Sequence, residues 1–399
     1  MRIAMLTNNY KPYIGGVPVS IEHLSEELRN LGHRVYIFAP SYPTQEEEPF
    51  VIRYPSFPIG IAGAPVPNVL TKLFYEKMVE LQIDVLHVHH PAIVGNVAFS
   101  MRRQLGIPVA FTYHTRYEEY LYYVKMLKRI EDCTGMIERY LRYYCNHCDM
   151  IFAPTPEIKK HLLYEKMINA PVEILPTGLP RDNFFPDMPT VKCIKEQYQN
   201  QKKVDYIFCT VARLAKEKNL DFLLESMQKV KQKLSIHGKT FRHFIIGEGL
   251  ERKHLEEKCY ELKLEEEIVF VGNVENRQIK NYLAACDLFV FSSKSETQGI
   301  VVLEAMAAGK PVIAVEATGI RDVVNTKENG ILTKENSDNF AQAVEKALVF
   351  PKLYKRMCEN AKDTAKKYAE DKIARQAEQY YYELLNFYQN QKNCQIIIG

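Results

Sequence analysis

Short apolar runs alternate with amphipathic stretches along this chain, in two successive series. In the first series, the stretch from Val17 to Leu31 has apolar side chains at spacings of three and four and ends at Gly32. That period predicts a helix with one buried face, and a strand, a helix and a second strand form the repeating unit of a parallel sheet. The predicted strands of this series cover residues 2–8, 33–40, 85–90, 108–114, 150–155 and 172–177.

The alternation pauses between Gly178 and Asp205, where three prolines precede a charged, polar stretch. It then resumes with strands predicted at residues 206–214, 243–247, 267–274, 288–293, 310–317 and 330–333. These runs are rich in Val, Ile and Phe, as buried parallel strands are. A chain of 399 residues is long enough for two cores. We therefore predict an α/β protein with two Rossmann-like domains that face a cleft, over residues 1–185 and 186–370.

The last part of the chain has a different pattern. From Pro351 to about Gln391 the sequence is helical and Tyr-rich, with no strand pattern. Its length predicts two helices. We expect the last one, over residues 371–392, to cross back to the first domain.

Composition excludes several classes of protein. A formal net charge of +3 is too small for a chain that reads nucleic-acid phosphates along its length. No run reaches the roughly 18 apolar residues that span a bilayer, and Met1 leads directly into a strand pattern. Nine irregularly spaced cysteines fit a reducing compartment better than a disulfide framework. These features predict a cytoplasmic protein.

Two glycines lie where an anion could bind. Gly15 and Gly16 follow the first predicted strand and open the first helix, where backbone N–H groups and the positive helix end can face an anion. The full G-x-G-x-x-G spacing is absent, so a tight strand-to-helix turn explains the pair equally well.

A basic loop follows the first strand of the second domain. Arg213 and Lys218 lie at the carboxyl end of that predicted strand, and ligands of open α/β sheets bind at this edge. The fork of an Arg and the point charge of a Lys suit a diphosphate. For either residue taken alone, a solvated basic loop is the alternative.

The most specific signal is the segment S-E-T-Q-G-I-V-V-L-E, in which Glu296 precedes a predicted helix and Glu304 lies within it. Carboxylates accept hydrogen bonds from sugar hydroxyls. Backbone N–H groups at the helix start, from Gln298 to Ile300, can bind phosphate. A structural ion pair is the alternative interpretation.

These motifs together resemble the retaining GT-B glycosyltransferases of family 4. Glu296 and Glu304 match the E-x7-E motif of that family, and Arg213 with Lys218 match its R-x4-K diphosphate site. Gly247-Glu248-Gly249 resembles the G-D-G turn of the family, with Glu in place of Asp. Gly272-Asn273-Val274 matches the segment near the nucleobase, and His114 matches the histidine near the donor sugar.

The resemblance implies a UDP-sugar as co-substrate, with no metal or other cofactor required. It implies catalytic roles for His114, Glu296, Arg213 and Lys218. It implies a donor-binding set made of Gly15, Gly16, Arg213, Lys218, Gly247, Gly272, Asn273, Val274, Glu296, Thr297, Gln298, Gly299, Ile300 and Glu304.

A Tyr-rich and basic segment bears on the acceptor. The pattern H-T-x-Y-x-x-Y-x-x-Y-V and the S-E-T-Q-G form of the glutamate motif resemble the subgroup that glucosylates diacylglycerol. Tyr rings favour the membrane interface and basic side chains favour anionic lipid headgroups. The candidate acceptor or membrane residues are Tyr117, Tyr120, Tyr123, Lys125, Lys128 and Arg129. A pair of amphipathic helices packed on the first domain is the alternative.

The predicted activity is therefore the transfer of a hexose, glucose, from a UDP-sugar to a glycerolipid such as 1,2-diacylglycerol, at the inner face of the cell membrane. One difference from the subgroup supports a second interpretation. The stretch that corresponds to its basic membrane helix, residues 68–81, has only Lys72 and Lys77 as cations, against Glu76 and Glu80. The alternative is a soluble family 4 enzyme that acts on a sugar, a small metabolite or a protein. The sequence does not determine the oligomeric state.

Overall fold

The computed structural model describes residues 1–13, 15–57, 65–116, 135–199 and 204–398. It divides into two compact units. Unit 1 comprises Met1–Gly178 together with Glu370–Gly399, and unit 2 comprises Leu179–Ala369. Each unit is built on a parallel sheet, which confirms the predicted α/β class.

The sheet of unit 1 has seven parallel strands in the order β3-β2-β1-β6-β7-β8-β9, and a two-stranded antiparallel pair, β4 with β5, lies apart from it. All six strands predicted for this half are present; β3 and the short pair were not predicted. The strands are β1 Arg2–Leu6, β2 Arg34–Pro40, β3 Val51–Tyr54, β4 Ser56–Phe57, β5 Val66–Pro67, β6 Val85–Val88, β7 Val109–Thr112, β8 Met150–Ala153 and β9 Val172–Ile174.

Helices cover both faces of this sheet. Because side chains alternate along a strand, Ile3 and Met5 of β1 join one apolar core, whereas Ala4 and Leu6 join the other. The helices among the described residues of this part of the chain are α1 Gly16–Asn30, α2 Leu73–Glu80, α3 Val94–Leu105, α4 Met136–His147 and α5 Pro156–Lys160, the last continuing as a π-helical turn, His161–Glu165.

The sheet of unit 2 has six parallel strands in the order β12-β11-β10-β13-β14-β15, and all six were predicted. They are β10 Tyr206–Val211, β11 Phe241–Ile246, β12 Ile268–Gly272, β13 Leu288–Phe291, β14 Val312–Val315 and β15 Gly330–Thr333. The helices of unit 2 are α6 Met188–Gln199, α7 Leu220–Ile236, α8 Arg252–Glu261, α9 Asn276–Ala285, α10 Ile300–Ala307, α11 Ser337–Val349 and α12 Pro351–Ala365.

The last helix, α13 Glu370–Ile398, returns to unit 1, as predicted. Its buried residues Ile373, Ala377, Tyr381 and Leu384 recur at spacings of three and four. They pack in the same core as Ile21 and Leu28 of α1. Within the described ranges, no helix is both long and apolar enough to cross a bilayer.

Candidate active site

The R-x4-K loop of unit 2 is shaped by the glycine turn that follows β11. Gly247 has a φ of +130°, and a Cβ there would lie 2.1 Å from the carbonyl oxygen of Ala212. The position therefore requires glycine. Beyond it, the backbone N–H of Leu214 donates to the carbonyl of Glu248 over 3.0 Å. The glycine turn thus supports the backbone on both sides of Arg213.

Two serines fix the end of the same loop. They follow β13 and donate from their hydroxyls to backbone carbonyls, Ser292 to Lys218 at 2.8 Å and Ser293 to Glu217 at 3.4 Å. This role was not predicted from the sequence, although both residues directly follow a buried strand at the edge of the sheet where ligands bind.

The two cations of the loop have carboxylate partners. Nζ of Lys218 lies 2.6 Å from Oε1 of Glu296, and Nη2 of Arg213 lies 2.8 Å from Oε1 of Glu217. Burial acts to raise the pKa of Glu296, but the adjacent Lys218 outweighs it and the pKa is lowered. Glu296 is therefore ionised at neutral pH. The structure thus joins one half of the E-x7-E motif to one half of the R-x4-K motif.

The predicted phosphate-binding segment lies at the start of α10. Gly299 is the N-cap residue with a φ of +68°, so the helix begins at Ile300. Gln298 is buried, and the backbone of Thr297 packs closely against Gly319. The segment is thus held in place ahead of the helix N-terminus, the end that attracts anions.

Glu304 lies in the second turn of α10 and has one long hydrogen bond, 3.5 Å, from Nδ2 of Asn183. Burial raises the pKa of the Glu304 carboxyl to about 7, although the Asn183 amide acts in the opposite direction. Near neutral pH this carboxyl can therefore lose a proton in response to hydrogen-bond donors. Asn183 was not predicted from the sequence, because it lies in a short 3-10 turn, Arg181–Phe184, far along the chain from Glu304.

The predicted nucleobase segment begins at the end of β12. The N–H of Gly247 donates to the carbonyl of Gly272 over 2.9 Å, which places the segment Gly272 to Val274 beside the glycine turn. Asn273 is exposed and Val274 half-buried. In unit 2, the structure therefore brings all the motif segments to the carboxyl edge of one sheet.

Unit 1 also gathers its predicted residues at the carboxyl edge of its sheet. Gly15 and Gly16 open α1 after β1, and His114 follows β7; between β1 and β7 in the sheet lies β6, which leads into His89 and His90. The φ of Gly15 is 178°, an extended conformation open to any residue. A Cβ at this position would lie 3.1 Å from Cε1 of Tyr13, which leaves little space.

His114 is paired with a histidine that sequence analysis missed. Nδ1 of His89 lies 2.8 Å from Nε2 of His114. Burial lowers the pKa of both rings well below the ordinary histidine value, so both are neutral at physiological pH. The sequence L-H-V-H-H carries a signal for this cluster, because His87 and His89 are two residues apart and share one face of the strand.

The candidate acceptor residues from Tyr117 to Arg129 lie outside the described residues. The stretch predicted to correspond to the basic membrane helix of the diacylglycerol subgroup, residues 68–81, contains α2. Tyr75 and Val79 of this helix are exposed, as is Leu70 just before it. One of its lysines, Lys77, is hydrogen-bonded to Glu80 at 2.8 Å.

Comparison with known proteins identifies related glycosyltransferases over both units. The profile of glycosyl transferases group 1 matches residues 194–364, and that of glycosyltransferase family 4 matches residues 14–183. A relative named alpha-monoglucosyldiacylglycerol synthase, from Acholeplasma laidlawii, is 29% identical over 97% of this chain and 98% of its own. A relative with the same name, from Streptococcus pneumoniae, is 28% identical over 88% of this chain and 78% of its own.

Solved structures share the fold over nearly the whole chain. Sucrose-phosphate synthase of Thermosynechococcus elongatus has a TM-score of 0.77 at 19% identity, over 96% of this chain and 99% of its own. HepE of Anabaena, solved in complex with UDP, has a TM-score of 0.76 at 18% identity, over 96% of this chain and 100% of its own. The fold and the site together define a glycosyltransferase of the GT-B class. More specifically, residues 14–183 belong to glycosyltransferase family 4 and residues 194–364 to the glycosyl transferases group 1.

Proposed function

We propose that this glycosyltransferase moves a hexose, glucose, from a UDP-sugar to diacylglycerol with retention of configuration at the anomeric carbon. The observation that carries the donor half of the proposal is the convergence of Arg213, Lys218, Glu296 and Glu304 at one edge of the unit 2 sheet. The cations suit a diphosphate and the carboxylates suit hydroxyl groups. HepE, which shares the fold, has been solved with UDP-glucose, which supports a nucleotide-sugar donor.

In the proposed donor complex, each group of residues binds a different part of the UDP-sugar. Glu304 accepts hydrogen bonds from the ribose hydroxyls and Glu296 from the sugar hydroxyls, while the segment Gly272 to Val274 borders the nucleobase. Arg213 and Lys218 bind the diphosphate, with the N-terminus of α10 beside them. Gly15 and Gly16 of unit 1 approach the phosphates, and His114 acts on the transferred sugar.

The chemistry needs one bond exchange. The bond between the anomeric carbon and the diphosphate oxygen breaks as the acceptor oxygen bonds to the same carbon, and the acceptor proton passes to the departing diphosphate. Negative charge grows on the leaving group. Fixed cations stabilise that charge more strongly in the transition state than in the ground state, so Arg213 and Lys218 accelerate the transfer. In this proposal these cations supply the charge stabilisation, with no metal required.

The lipid acceptor is supported by the two relatives named alpha-monoglucosyldiacylglycerol synthase, which align over most of this chain. The exposed apolar side chains of Leu70, Tyr75 and Val79 offer unit 1 a surface for lipid. Such an enzyme works at the inner face of the cell membrane as a peripheral protein. The candidate acceptor residues from Tyr117 to Arg129 add tyrosine rings and positive charges, which favour a lipid interface.

The direct test presents radiolabelled UDP-glucose, UDP-galactose and UDP-N-acetylglucosamine with diacylglycerol in mixed micelles. We expect a single labelled glycolipid from UDP-glucose, with the α anomeric coupling by NMR. The matched control is Glu296→Gln, which keeps the size of the side chain and removes its charge. Product from UDP-glucose with a β linkage would contradict retention.

A soluble family 4 transferase is the second candidate, and one observation favours it. The positive charges of Lys72, just before α2, and Lys77, within it, are balanced by the negative charges of Glu76 and Glu80. Lys77 is hydrogen-bonded to Glu80. A surface with balanced charge gains little from anionic lipid. Transfer to a sugar, metabolite or protein acceptor in the absence of lipid, with none to diacylglycerol, would establish this candidate instead.

A further inference from the structure

Two histidine rings in unit 1 form a hydrogen bond whose direction the structure allows us to assign. Nδ1 of His89 lies 2.8 Å from Nε2 of His114, and the two rings are nearly parallel, at 22°, with centroids 5.1 Å apart. His89, just after β6, is 1% exposed, and His114 lies just after β7. Both atoms are ring nitrogens, so one must carry the proton and the other must accept it.

The second nitrogen of His89 decides which one carries it. Nε2 of His89 is buried and has no hydrogen-bond partner among the described residues. Burial, with smaller contributions from His87, His114 and His90, lowers the pKa of His89, so the ring is neutral and has a single N–H. A buried N–H without an acceptor is rarer and costlier than an unused acceptor. The proton therefore belongs on Nδ1, where it is donated to Nε2 of His114.

A third ring holds His89 in this orientation. His87 packs against it with the ring centroids 4.2 Å apart. His87 is itself fixed at both nitrogens, with Nδ1 2.7 Å from the hydroxyl of Tyr381 and Nε2 2.6 Å from Oγ1 of Thr112. A ring packed between two others in a dense interior cannot turn without displacing one of them.

We propose that His89 is a positioning residue for His114. Its Nδ1–H holds the His114 ring in one orientation and keeps Nε2 of His114 unprotonated, so that His114 carries its own proton on Nδ1. This inference rests on the proposed function, in which His114 acts on the transferred sugar. It deepens that role: Nε2 already accepts a hydrogen bond and cannot serve as a general base, so His114 acts as a neutral hydrogen-bond donor from Nδ1.

The tautomer can be measured without any substrate, and its failure would therefore be distinct from a failure of the proposed function. Long-range ¹H–¹⁵N correlation on protein labelled with ¹⁵N-histidine shows which ring nitrogen is protonated, and the spectrum of His114→Gln assigns the His114 signals. We expect His114 to be protonated on Nδ1 and His89 on Nδ1. Protonation of His114 on Nε2 would overturn the proposal.

Two substitutions of His89 test its effect on catalysis. His89→Asn keeps an N–H near the position of Nδ1, whereas His89→Leu removes it and retains an apolar side chain. We expect His89→Leu to lower kcat about tenfold to a hundredfold with little change in KM for the UDP-sugar, and His89→Asn to recover most of the loss.

A control separates positioning from general damage to the core of unit 1. His33→Gln changes a buried histidine at the opposite, amino edge of the same sheet, where the ring is hydrogen-bonded to Glu378, and we expect its kcat to stay within about threefold of the native value. A normal kcat in His89→Leu, or an equal loss in His89→Asn or in His33→Gln, would refute the positioning role. If His89→Leu does not fold, the tautomer of the native protein and the kcat of His89→Asn still decide.

Discussion

Nζ of Lys218 lies 2.6 Å from Oε1 of Glu296, and the two side chains are only 16% and 17% exposed. The pair links the loop after β10 to the loop that precedes α10. A change to either partner leaves the other as a largely buried charge without its counter-ion. Lys218, proposed to bind the diphosphate, and Glu296, proposed to bind the sugar, are therefore electrostatically coupled. Their substitutions should nevertheless affect the binding of different parts of the donor.

Lys218→Ala should weaken the binding of UDP about tenfold to a hundredfold, because a charge-assisted hydrogen bond to phosphate is lost, and should leave the binding of uridine nearly unchanged. Calorimetry with UDP and with uridine measures both. The control is Lys294→Ala, which removes a lysine of the same unit that is 3.0 Å from Glu335 at the surface. An equal loss for UDP and uridine would contradict the diphosphate role.

Glu296→Gln should impair the transfer reaction without weakening the binding of UDP. We expect kcat/KM for transfer to fall at least about a hundredfold, because the sugar hydroxyls lose a charged acceptor. The affinity for UDP should be retained or increased, because Lys218 no longer has an anionic partner to leave. Steady-state kinetics and calorimetry provide the two values. A near-normal kcat/KM, or a loss of UDP affinity that matches the loss of activity, would remove Glu296 from the sugar site.

The binding of UDP at pH 7 should release about half a proton from Glu304. Burial raises the pKa of this carboxyl to about 7, so about half of the molecules are protonated at that pH. Ribose hydroxyls that donate to the carboxylate favour its charged form and lower its pKa, so the proton leaves. The affinity for UDP should accordingly rise between pH 6 and pH 8.

Calorimetry in buffers with different ionisation enthalpies measures this release. In Glu304→Gln, the release and the associated rise in affinity should both disappear. Proton uptake in the native protein, or the same release in the variant, would show that Glu304 does not bind the ribose.

Gly247→Ala should destabilise unit 2 by about 2–4 kcal/mol and weaken UDP binding, because the added Cβ meets a backbone carbonyl and the residue has a positive φ. Gly238→Ala is the matched control. Gly238 also has a positive φ, +65°, but an added Cβ would meet no described atom within 4 Å. We expect that variant to lose only about 1 kcal/mol and to keep its affinity for UDP. Urea unfolding and calorimetry compare the two, and equal losses would argue against a special role for the glycine turn.

Attachment to anionic lipid should depend on the basic segment of unit 1. The triple variant Lys125→Glu, Lys128→Glu and Arg129→Glu should lose co-sedimentation with anionic liposomes at low salt, at about 1 kcal/mol per basic residue near the surface, and should keep its affinity for UDP. The control makes the same change of charge on unit 2, at Lys192, Lys253 and Lys355, which are well exposed. If the native protein does not sediment with these liposomes, the lipid acceptor is to be given up in favour of the soluble transferase.

Most strands could be predicted from the sequence because a buried parallel strand is apolar on both faces and appears as a continuous run. The strand β3 was missed for the converse reason. It lies at the edge of the sheet, three of its four residues are only half-buried, and the acidic segment Glu46 to Glu48 precedes it. A short edge strand with such neighbours has no pattern that distinguishes it from a loop.

The site was predicted as a set of motifs, but the residues that support the motifs were not. Ser292 and Ser293 hold the R-x4-K loop from about 75 positions away, and Asn183 reaches Glu304 from 121 positions away. Such contacts depend on which strands become neighbours, and spacing along a single chain does not encode that. His89 is the exception, since its alternation with His87 within a predicted strand was visible in the sequence.

The return of α13 to unit 1 has a consequence for how the protein is made. The hydroxyl of Tyr381 is hydrogen-bonded to Nδ1 of His87, and Leu384 completes the core beside α1. These residues are translated after the whole of unit 2. The ribosome therefore delivers every residue of unit 2 while the first-made unit is still without part of its core, and the two units should become fully folded in the reverse of the order in which their synthesis begins.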